Sequence, residues 1–128
     1  PEMHLAPEPF LASCRILELM AHTGKSFGEL IADIPVYPLK NAKIKCPNEK
    51  KTAVMEQLVE LLPKDLEDVV QVITGDGIGI TMKEGWILVR PSGTEPVIRI
   101  TCEGQTEELV ESILNKTAMV VERTINSL

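Results

Sequence analysis

The spacing of apolar and polar side chains predicts a sheet in the second half of the chain. Residues 97–103 alternate apolar and polar positions, which is the period-two pattern of a half-buried strand. Residues 69–73, 78–82 and 86–89 are short runs rich in apolar and β-branched side chains, which also favour strands. Glycines separate these runs, and residues 83–85 have the composition of a hairpin turn.

The first third of the chain shows helical spacing instead. Apolar side chains recur every three or four positions over residues 10–22, and Thr23 with Gly24 forms a natural stop. Ser26 begins a capping box for a short second helix, which we expect Pro35 to end. Two short helices cannot enclose a core of their own, so this segment is expected to pack on something else.

Two longer helices are predicted before and after the strands. The first covers residues 49–62, with Asn48 as N-cap and Pro63 closing it; the second runs from Glu107 to about residue 125, capped by Thr106. Their expected inward positions are Val54, Leu58, Leu61 and Leu62 in the first, and Val110, Ile113, Leu114, Thr117 and Val121 in the second. Helices on one face of a mainly antiparallel sheet make the fold class α+β. We predict about four strands and two helices, preceded by the short helical segment.

Residues 39–46 connect the helical segment to the predicted α+β domain. Lys43 and Lys45 alternate around Ile44, and lysines on an exposed strand discourage pairing with other chains. The segment is therefore interpreted as an edge strand or a linker; the alternative is a basic patch for phosphate. The predicted organisation is a helical segment at residues 1–38, this connection, and a domain at 47–128.

Composition and charge exclude several classes of partner. The 128 residues are 44% hydrophobic with only four aromatic side chains, so aliphatic residues must fill the core. The net charge of -6 argues against nucleic-acid and membrane partners, both of which favour a concentrated basic face. No apolar run reaches the length of a membrane span, and no signal peptide is recognisable.

The cysteines and the N-terminus give two further expectations. Cys14, Cys46 and Cys102 are odd in number and widely spaced, which predicts reduced, mostly buried thiols in a cytoplasmic protein. Three prolines in residues 1–9 predict an extended conformation, and the start at Pro1 suggests a fragment or a processed product.

Candidate chemistry concentrates between the last two predicted strands. The stretch consists of Arg90, Pro91, Ser92, Gly93, Thr94, Glu95 and Pro96, with Arg99 on the following strand. Pro96 excludes a helix interior, and Gly93 permits backbone conformations that a Cβ would block. The loop can offer backbone N–H groups, two hydroxyls and planar guanidinium groups, which together suit a phosphate. The alternative is ordinary turn chemistry.

Other combinations of residues are weaker candidates. Gly75, Gly77 and Gly79 have nucleotide-loop spacing, but a strand follows where such a loop requires a helix. His4 and His22 have no nucleophile beside them, and each is interpreted as a surface or packing histidine. Asp76 has Glu84 as its only nearby carboxylate, so no metal site is predicted.

The loop from Arg90 to Pro96, followed by Arg99, resembles the phosphate-binding loop of the α-D-phosphohexomutases. This family includes phosphomannomutase, phosphoglucomutase and phosphoglucosamine mutase. In it the loop belongs to the fourth and last domain, which has a TATA-box-binding-protein-like fold and holds the non-reacting phosphate of the sugar. Residues 16–20, 23–25 and 35–38 are similar to the end of the third domain in archaeal-type members. The resemblance implies that residues 1–38 are the tail of that third domain.

The resemblance also implies roles for the loop residues. Arg90 would clamp phosphate with both guanidinium nitrogens, Ser92 and Thr94 would donate hydroxyls, and Gly93 would allow close approach of the backbone. Arg99 would either contact phosphate or brace the loop. Glu95 is expected to orient an arginine, because a carboxylate repels an anion.

For the whole protein the resemblance implies interconversion of hexose 1-phosphate and 6-phosphate through a phosphoserine and a bisphosphorylated sugar. It implies Mg²⁺ as cofactor, and a phosphosugar and the remaining domains of the same enzyme as partners. The chain lacks the family's catalytic serine and magnesium loop, so no catalytic or metal-binding residue is predicted and the chain alone is expected to be inactive. Two non-catalytic alternatives stay open: a module that senses a phosphorylated metabolite, and an interaction domain that docks through residues 10–34.

Overall fold

The computed structural model describes residues 8–128, and the chain divides into two compact units between Val36 and Tyr37. The extended conformation predicted for residues 1–9 falls almost wholly outside the described residues, as does His4. Each unit is built from its own elements.

The first unit contains two helices, α1 (Pro9–Thr23) and α2 (Phe27–Ile31). Gly24 ends α1 with a left-handed φ of 66°, as the Thr-Gly stop predicts. The capping box before α2 is confirmed, because the Ser26 hydroxyl accepts from the Glu29 N–H while the Glu29 carboxylate accepts from the Ser26 N–H. None of the described residues of this unit is buried, in agreement with the prediction that its helices enclose no core.

The second unit is an antiparallel sheet with two helices packed against it. Its elements are β1 (Leu39–Lys45), α3 (Lys51–Asp65), β2 (Val69–Gly75), β3 (Gly77–Met82), β4 (Gly85–Pro91), β5 (Val97–Gly104) and α4 (Glu107–Ser127). The strands lie in the order β1-β5-β4-β3-β2. The predicted α+β class is confirmed. The sheet has five strands rather than about four, because β1 pairs with β5 from Leu39 to Lys45 and forms an edge of the sheet.

The core lies between the helices and one face of this sheet. Every second residue of β5 is buried, beginning at Ile98, and Arg99 stands on the opposite face as the alternation predicts. The core side chains are Val54, Leu58 and Leu62 of α3, Val110, Ile113, Val120, Val121 and Ile125 of α4, Ile78, Ile80, Met82, Ile87, Val89, Ile98, Ile100 and Cys102 of the sheet, and Cys46 and Leu66 outside these elements. Burial raises the pKa of the Cys102 thiol to about 12.

The start and the end of α3 differ from the prediction. Pro63 does not close the helix: α3 passes through it and ends at Asp65. In a helix, a proline ring clashes with the residues that precede it but not with those that follow it, so the helix can continue beyond the proline. Asn48 is not the N-cap, because a turn of 3₁₀ helix occupies Asn48–Lys50 and α3 begins at Lys51. This start places the Lys51 side chain at the N-terminus of α3, beside the connection between β4 and β5. This connection, together with the flanking Arg90 and Arg99, is called the 90–99 loop below.

Candidate phosphate-binding site

The candidate loop connects β4 to β5 and is held by its own hydrogen bonds. The Ser92 N–H donates to the Val97 carbonyl oxygen at 3.0 Å, and the Val97 N–H donates to the Glu95 carbonyl oxygen at 2.8 Å. The Glu95 N–H donates to the Ser92 hydroxyl oxygen at 3.2 Å. These bonds fix the conformation of residues 92–97.

Two other parts of the chain hold the carbonyl groups of the loop. The Cys46 N–H, just after β1, donates to the Pro96 carbonyl oxygen at 2.9 Å. The Lys51 ammonium donates to the Ser92 carbonyl oxygen at 2.5 Å and to the Glu95 carbonyl oxygen at 2.6 Å. Three loop carbonyls are thus bonded to protein donors.

The donors at the tip of the loop are free. Within residues 8–128, no acceptor lies within hydrogen-bond reach of the Gly93 N–H, the Thr94 N–H or the Thr94 hydroxyl. The φ of Gly93 does not lie in the left-handed region. A Cβ at Gly93 would have no atom within 4 Å, so this position faces open space.

The two predicted arginines are direct partners across β4 and β5, and Lys43 of β1 is the partner of Arg99 on the other side. The Arg90 guanidinium lies 3.5 Å from the Asp76 carboxylate, whereas Arg99 bonds to the Glu95 carboxylate. Lys43 bonds to both oxygens of that carboxylate at 3.1 Å. The geometry agrees with the prediction that Glu95 orients an arginine.

The charge around Glu95 explains its titration. The Lys43 ammonium, by hydrogen bond and charge, and then the Arg99 guanidinium hold the pKa of the Glu95 carboxyl below its ordinary value. Glu95 is therefore ionised at neutral pH and compensates part of the positive charge of Lys43 and Arg99. The Arg90 side has a weaker counter-charge, because the Asp76 side chain is 96% exposed.

An open cleft of about 600 Å³ lies beside the loop. Its lining residues are Asn48, Lys51, Thr52, Asp76, Arg90, Pro91, Ser92, Gly93, Thr94 and Arg99. The structure thus brings all five sequence-predicted residues, Arg90, Ser92, Gly93, Thr94 and Arg99, to one cleft. Three cations and one carboxylate line it, which makes the cleft positive in a chain of net charge -6.

Sequence reasoning missed the part of the cleft that α3 contributes. Lys51 and Thr52 follow the 3₁₀ turn, and their approach to the loop depends on contacts more than forty positions apart along the chain. The sequence suggests Asp76 only as a possible metal ligand, whereas in the structure its carboxylate lies 3.5 Å from the Arg90 guanidinium. The signal that could have found Lys51 is the start of α3, because Lys51 is the first residue of that helix.

The described residues offer no metal site of their own. No group of three or more His, Cys, Asp or Glu side chains among residues 8–128 is arranged to hold a metal ion. The side chains of residues 8–128 therefore do not fit the Mg²⁺ that the family resemblance implies. In the same range, no helix has both the length and the apolar character needed to cross a membrane.

Comparison with known proteins identifies relatives along the whole chain. Residues 42–119 match the family model described as "Phosphoglucomutase/phosphomannomutase, C-terminal domain". A probable phosphoglucosamine mutase of Pyrococcus horikoshii is 41% identical over 128 residues, which are 100% of this chain and 28% of that protein. The phosphoglucosamine mutase of Methanococcus aeolicus is 35% identical over 127 residues, covering 98% of this chain and 27% of that protein. The chain spans little more than a quarter of these relatives.

Solved structures support the fold. A phosphoglucomutase/phosphomannomutase family protein from Burkholderia thailandensis aligns with a TM-score of 0.65 at 18% identity, covering 88% of this chain and 23% of the other. The Aspergillus fumigatus N-acetylphosphoglucosamine mutase, solved in complex with GlcNAc-6P and magnesium, aligns with a TM-score of 0.51 at 14% identity, covering 84% and 19%. Because residues 42–119, more than half of the chain, match this family model, the chain belongs to the phosphoglucomutase/phosphomannomutase family and contains its C-terminal domain.

Proposed function

We propose that the cleft beside the 90–99 loop binds the phosphate group of a phosphosugar. The observation that carries this proposal is the pairing of Arg90 with Arg99 across two strands, next to the free N–H groups of Gly93 and Thr94. Guanidinium groups and backbone N–H donors are the groups that recognise phosphate oxygens. The positive cleft is a local exception in an acidic chain, which also favours an anionic ligand.

The residues of the cleft have different roles in binding phosphate. Arg90 is the clamp, because its contact with the exposed Asp76 is long and can be exchanged for two bonds to phosphate oxygens. The tip of the loop supplies the Gly93 and Thr94 N–H groups together with the Ser92 and Thr94 hydroxyls. The Ser92 hydroxyl oxygen accepts from Glu95, which leaves its hydrogen free to donate.

Arg99 has a different part. Its guanidinium is held by Glu95, so it braces the loop and adds positive charge without leaving that partner. Lys43 on the neighbouring strand holds the other side of the same carboxylate. This second arginine therefore sets the position of the loop while Arg90 grips the ligand.

For the whole protein we infer a phosphohexomutase that interconverts hexose 1-phosphate and 6-phosphate through a phosphoserine and a bisphosphorylated sugar. The named relatives, which are phosphoglucosamine mutases, favour this reaction over a metabolite sensor. A cleft that holds the non-reacting phosphate positions the other end of the sugar for transfer, and positioning is a large part of catalysis in phosphoryl transfer. We assign the catalytic serine and Mg²⁺ to other domains of the enzyme, so this chain alone is inactive.

An NMR titration of the ¹⁵N-labelled chain with glucosamine 1-phosphate tests the binding site, with glucosamine as the phosphate-free control. A single domain of the enzyme should bind the ligand with a millimolar dissociation constant, which corresponds to a binding free energy on the order of 4 kcal/mol. We expect shifts at the amides of residues 92–95 and 97 that disappear in Arg90→Ala. Arg123→Ala is the matched control, because Arg123 pairs with Asp65 on α3 and does not line the cleft. Shifts spread over the lysines, or unchanged in Arg90→Ala, would reject the site.

A second experiment separates the enzyme from a sensor. Adding the missing domains to this chain should restore mutase activity, and Arg90→Ala in this chain should lower that activity. Phosphate binding without any restored activity would favour the sensing module.

A further inference from the structure

The Lys51 ammonium occupies a special position beneath the loop. It lies 2.5 Å from the Ser92 carbonyl oxygen and 2.6 Å from the Glu95 carbonyl oxygen, so a single side chain bridges both ends of the Ser-Gly-Thr tip. Lys51 is the first residue of α3, and both contacts are partly buried. No acidic side chain among the described residues forms an ion pair with it.

These two contacts have a direct consequence for anion binding. Carbonyl oxygens carry partial negative charge and repel an anion if they turn toward it. When Lys51 holds two of them, the same peptide segment leaves the Gly93 and Thr94 N–H groups without partners at the cleft. The bonds are charge-assisted and therefore stronger than ordinary backbone bonds in a turn.

We propose that Lys51 is a positioning residue that fixes the loop in its anion-receiving conformation before the ligand arrives. This inference rests on the proposed function, because it assigns the loop a phosphate ligand. Lys51 acts through the Ser92 and Glu95 carbonyls, and it adds a positive charge to the cleft as a secondary effect. Its role ties the geometry of the loop to the N-terminus of α3.

The neighbouring lysine provides a matched control. The Lys50 ammonium donates to the Ile125 carbonyl oxygen in α4 at 3.4 Å, forms no hydrogen bond to the loop and does not line the cleft. Lys51→Met and Lys50→Met therefore remove the same charge from adjacent positions, while only the first removes the bonds to the loop.

The test compares the two variants without and then with inorganic phosphate. Without phosphate, we expect the Ser92, Glu95 and Val97 amides to exchange with solvent about tenfold faster in Lys51→Met, because the loop opens locally. Phosphate should bind about tenfold more weakly to that variant, the loss expected for one charge-assisted bond. Lys50→Met should show neither change. If folded Lys51→Met binds phosphate more weakly but its ligand-free loop exchanges as in the unsubstituted chain, Lys51 acts only by its charge and the proposal is wrong.

A measurement on the unsubstituted chain keeps the proposal testable if Lys51→Met fails to fold. The Lys51 ammonium should give a slowly exchanging ¹⁵N signal with scalar couplings to the Ser92 and Glu95 carbonyl carbons, and its absence would overturn the proposal. Failure of the unsubstituted chain to bind phosphate would reject the proposed function instead. The exchange and coupling data need no ligand, so the two failures are distinguishable.

Discussion

Arg90 of β4 and Arg99 of β5 face each other directly across the two strands, and their side chains share one face of the sheet. Like charges at directly opposed positions destabilise a sheet. Glu95 compensates Arg99 through a close ion pair, whereas the one acidic partner of Arg90 among residues 8–128 is the exposed Asp76 at 3.5 Å. The two guanidinium groups therefore repel each other, and the anion that we propose to bind at Arg90 would relieve this repulsion.

This relationship predicts that Arg90 costs stability while it supports binding. Arg90→Met should leave the thermal unfolding temperature unchanged or raise it, because the repulsion disappears and the stem is kept. Phosphate should raise the unfolding temperature of the unsubstituted chain, since a ligand that binds only the folded state stabilises it. In Arg90→Met that shift should largely vanish, with phosphate affinity lower by about ten- to a hundredfold. Calorimetry with and without phosphate measures both effects. A clear loss of stability in Arg90→Met would show that Arg90 is structural.

Gly77 predicts a second effect beneath Arg90, in which backbone strain and a steric clash act together. Its φ is 116°, and a Cβ there would lie 2.6 Å from the Val89 carbonyl oxygen and 2.8 Å from the Arg90 Cβ. Gly77→Ala should therefore destabilise the domain by about 1–3 kcal/mol and displace Arg90. Gly75→Ala is the control at the other end of the same turn, because it has an ordinary φ and no atom within 4 Å of a Cβ. Chemical denaturation measures both variants; equal stability of the two would contradict the close contact.

Local sequence rules recovered the elements whose signals are local. The alternation at residues 97–103 gave the correct face for Arg99, and the Ser26 capping box formed as expected. The lysines of residues 39–46 fit either an edge strand or a linker. Only its register with β5 makes it the fifth strand.

Features that depend on distant contacts were beyond those rules. Pro63 shows the limit of a local rule, since proline is a helix-stop signal and α3 nevertheless passes through it and ends at Asp65. The bonds of Lys51 to Ser92 and Glu95 join two segments that no periodicity relates. The loop composition indicates which donors the loop can offer, but the contact of Lys51 with the loop is visible only in the fold.

The cysteines predict a contrast in thiol reactivity. Cys14 is exposed, whereas Cys46 and Cys102 are buried, and burial raises the pKa of both of their thiols. At pH 8 one thiol should react rapidly with a disulfide reagent, and the other two only as the domain unfolds. Cys14→Ser should abolish the fast phase. A second fast thiol that persists in Cys14→Ser would mean that β1 or β5 opens readily.

Glu95 predicts the acid limit of the loop. Its pKa in the folded protein is below the ordinary value, so its stabilising contribution is fully present above the unfolded pKa of about 4.3 and is lost as the pH falls through the folded pKa. The bonds of Lys43 and Arg99 to Glu95 should then break together. A ¹³C NMR titration follows the Glu95 carboxyl, and the amide signals of residues 92–95 and 97 should shift over the same pH range. Because Lys43 is the largest cause of the lowered pKa, Lys43→Met should move that titration to higher pH. Lys45→Met, on the same edge strand but without a bond to Glu95, should leave it unchanged. If the loop amides titrate independently of the carboxyl, Glu95 does not hold the loop and its pairing with Arg99 is incidental.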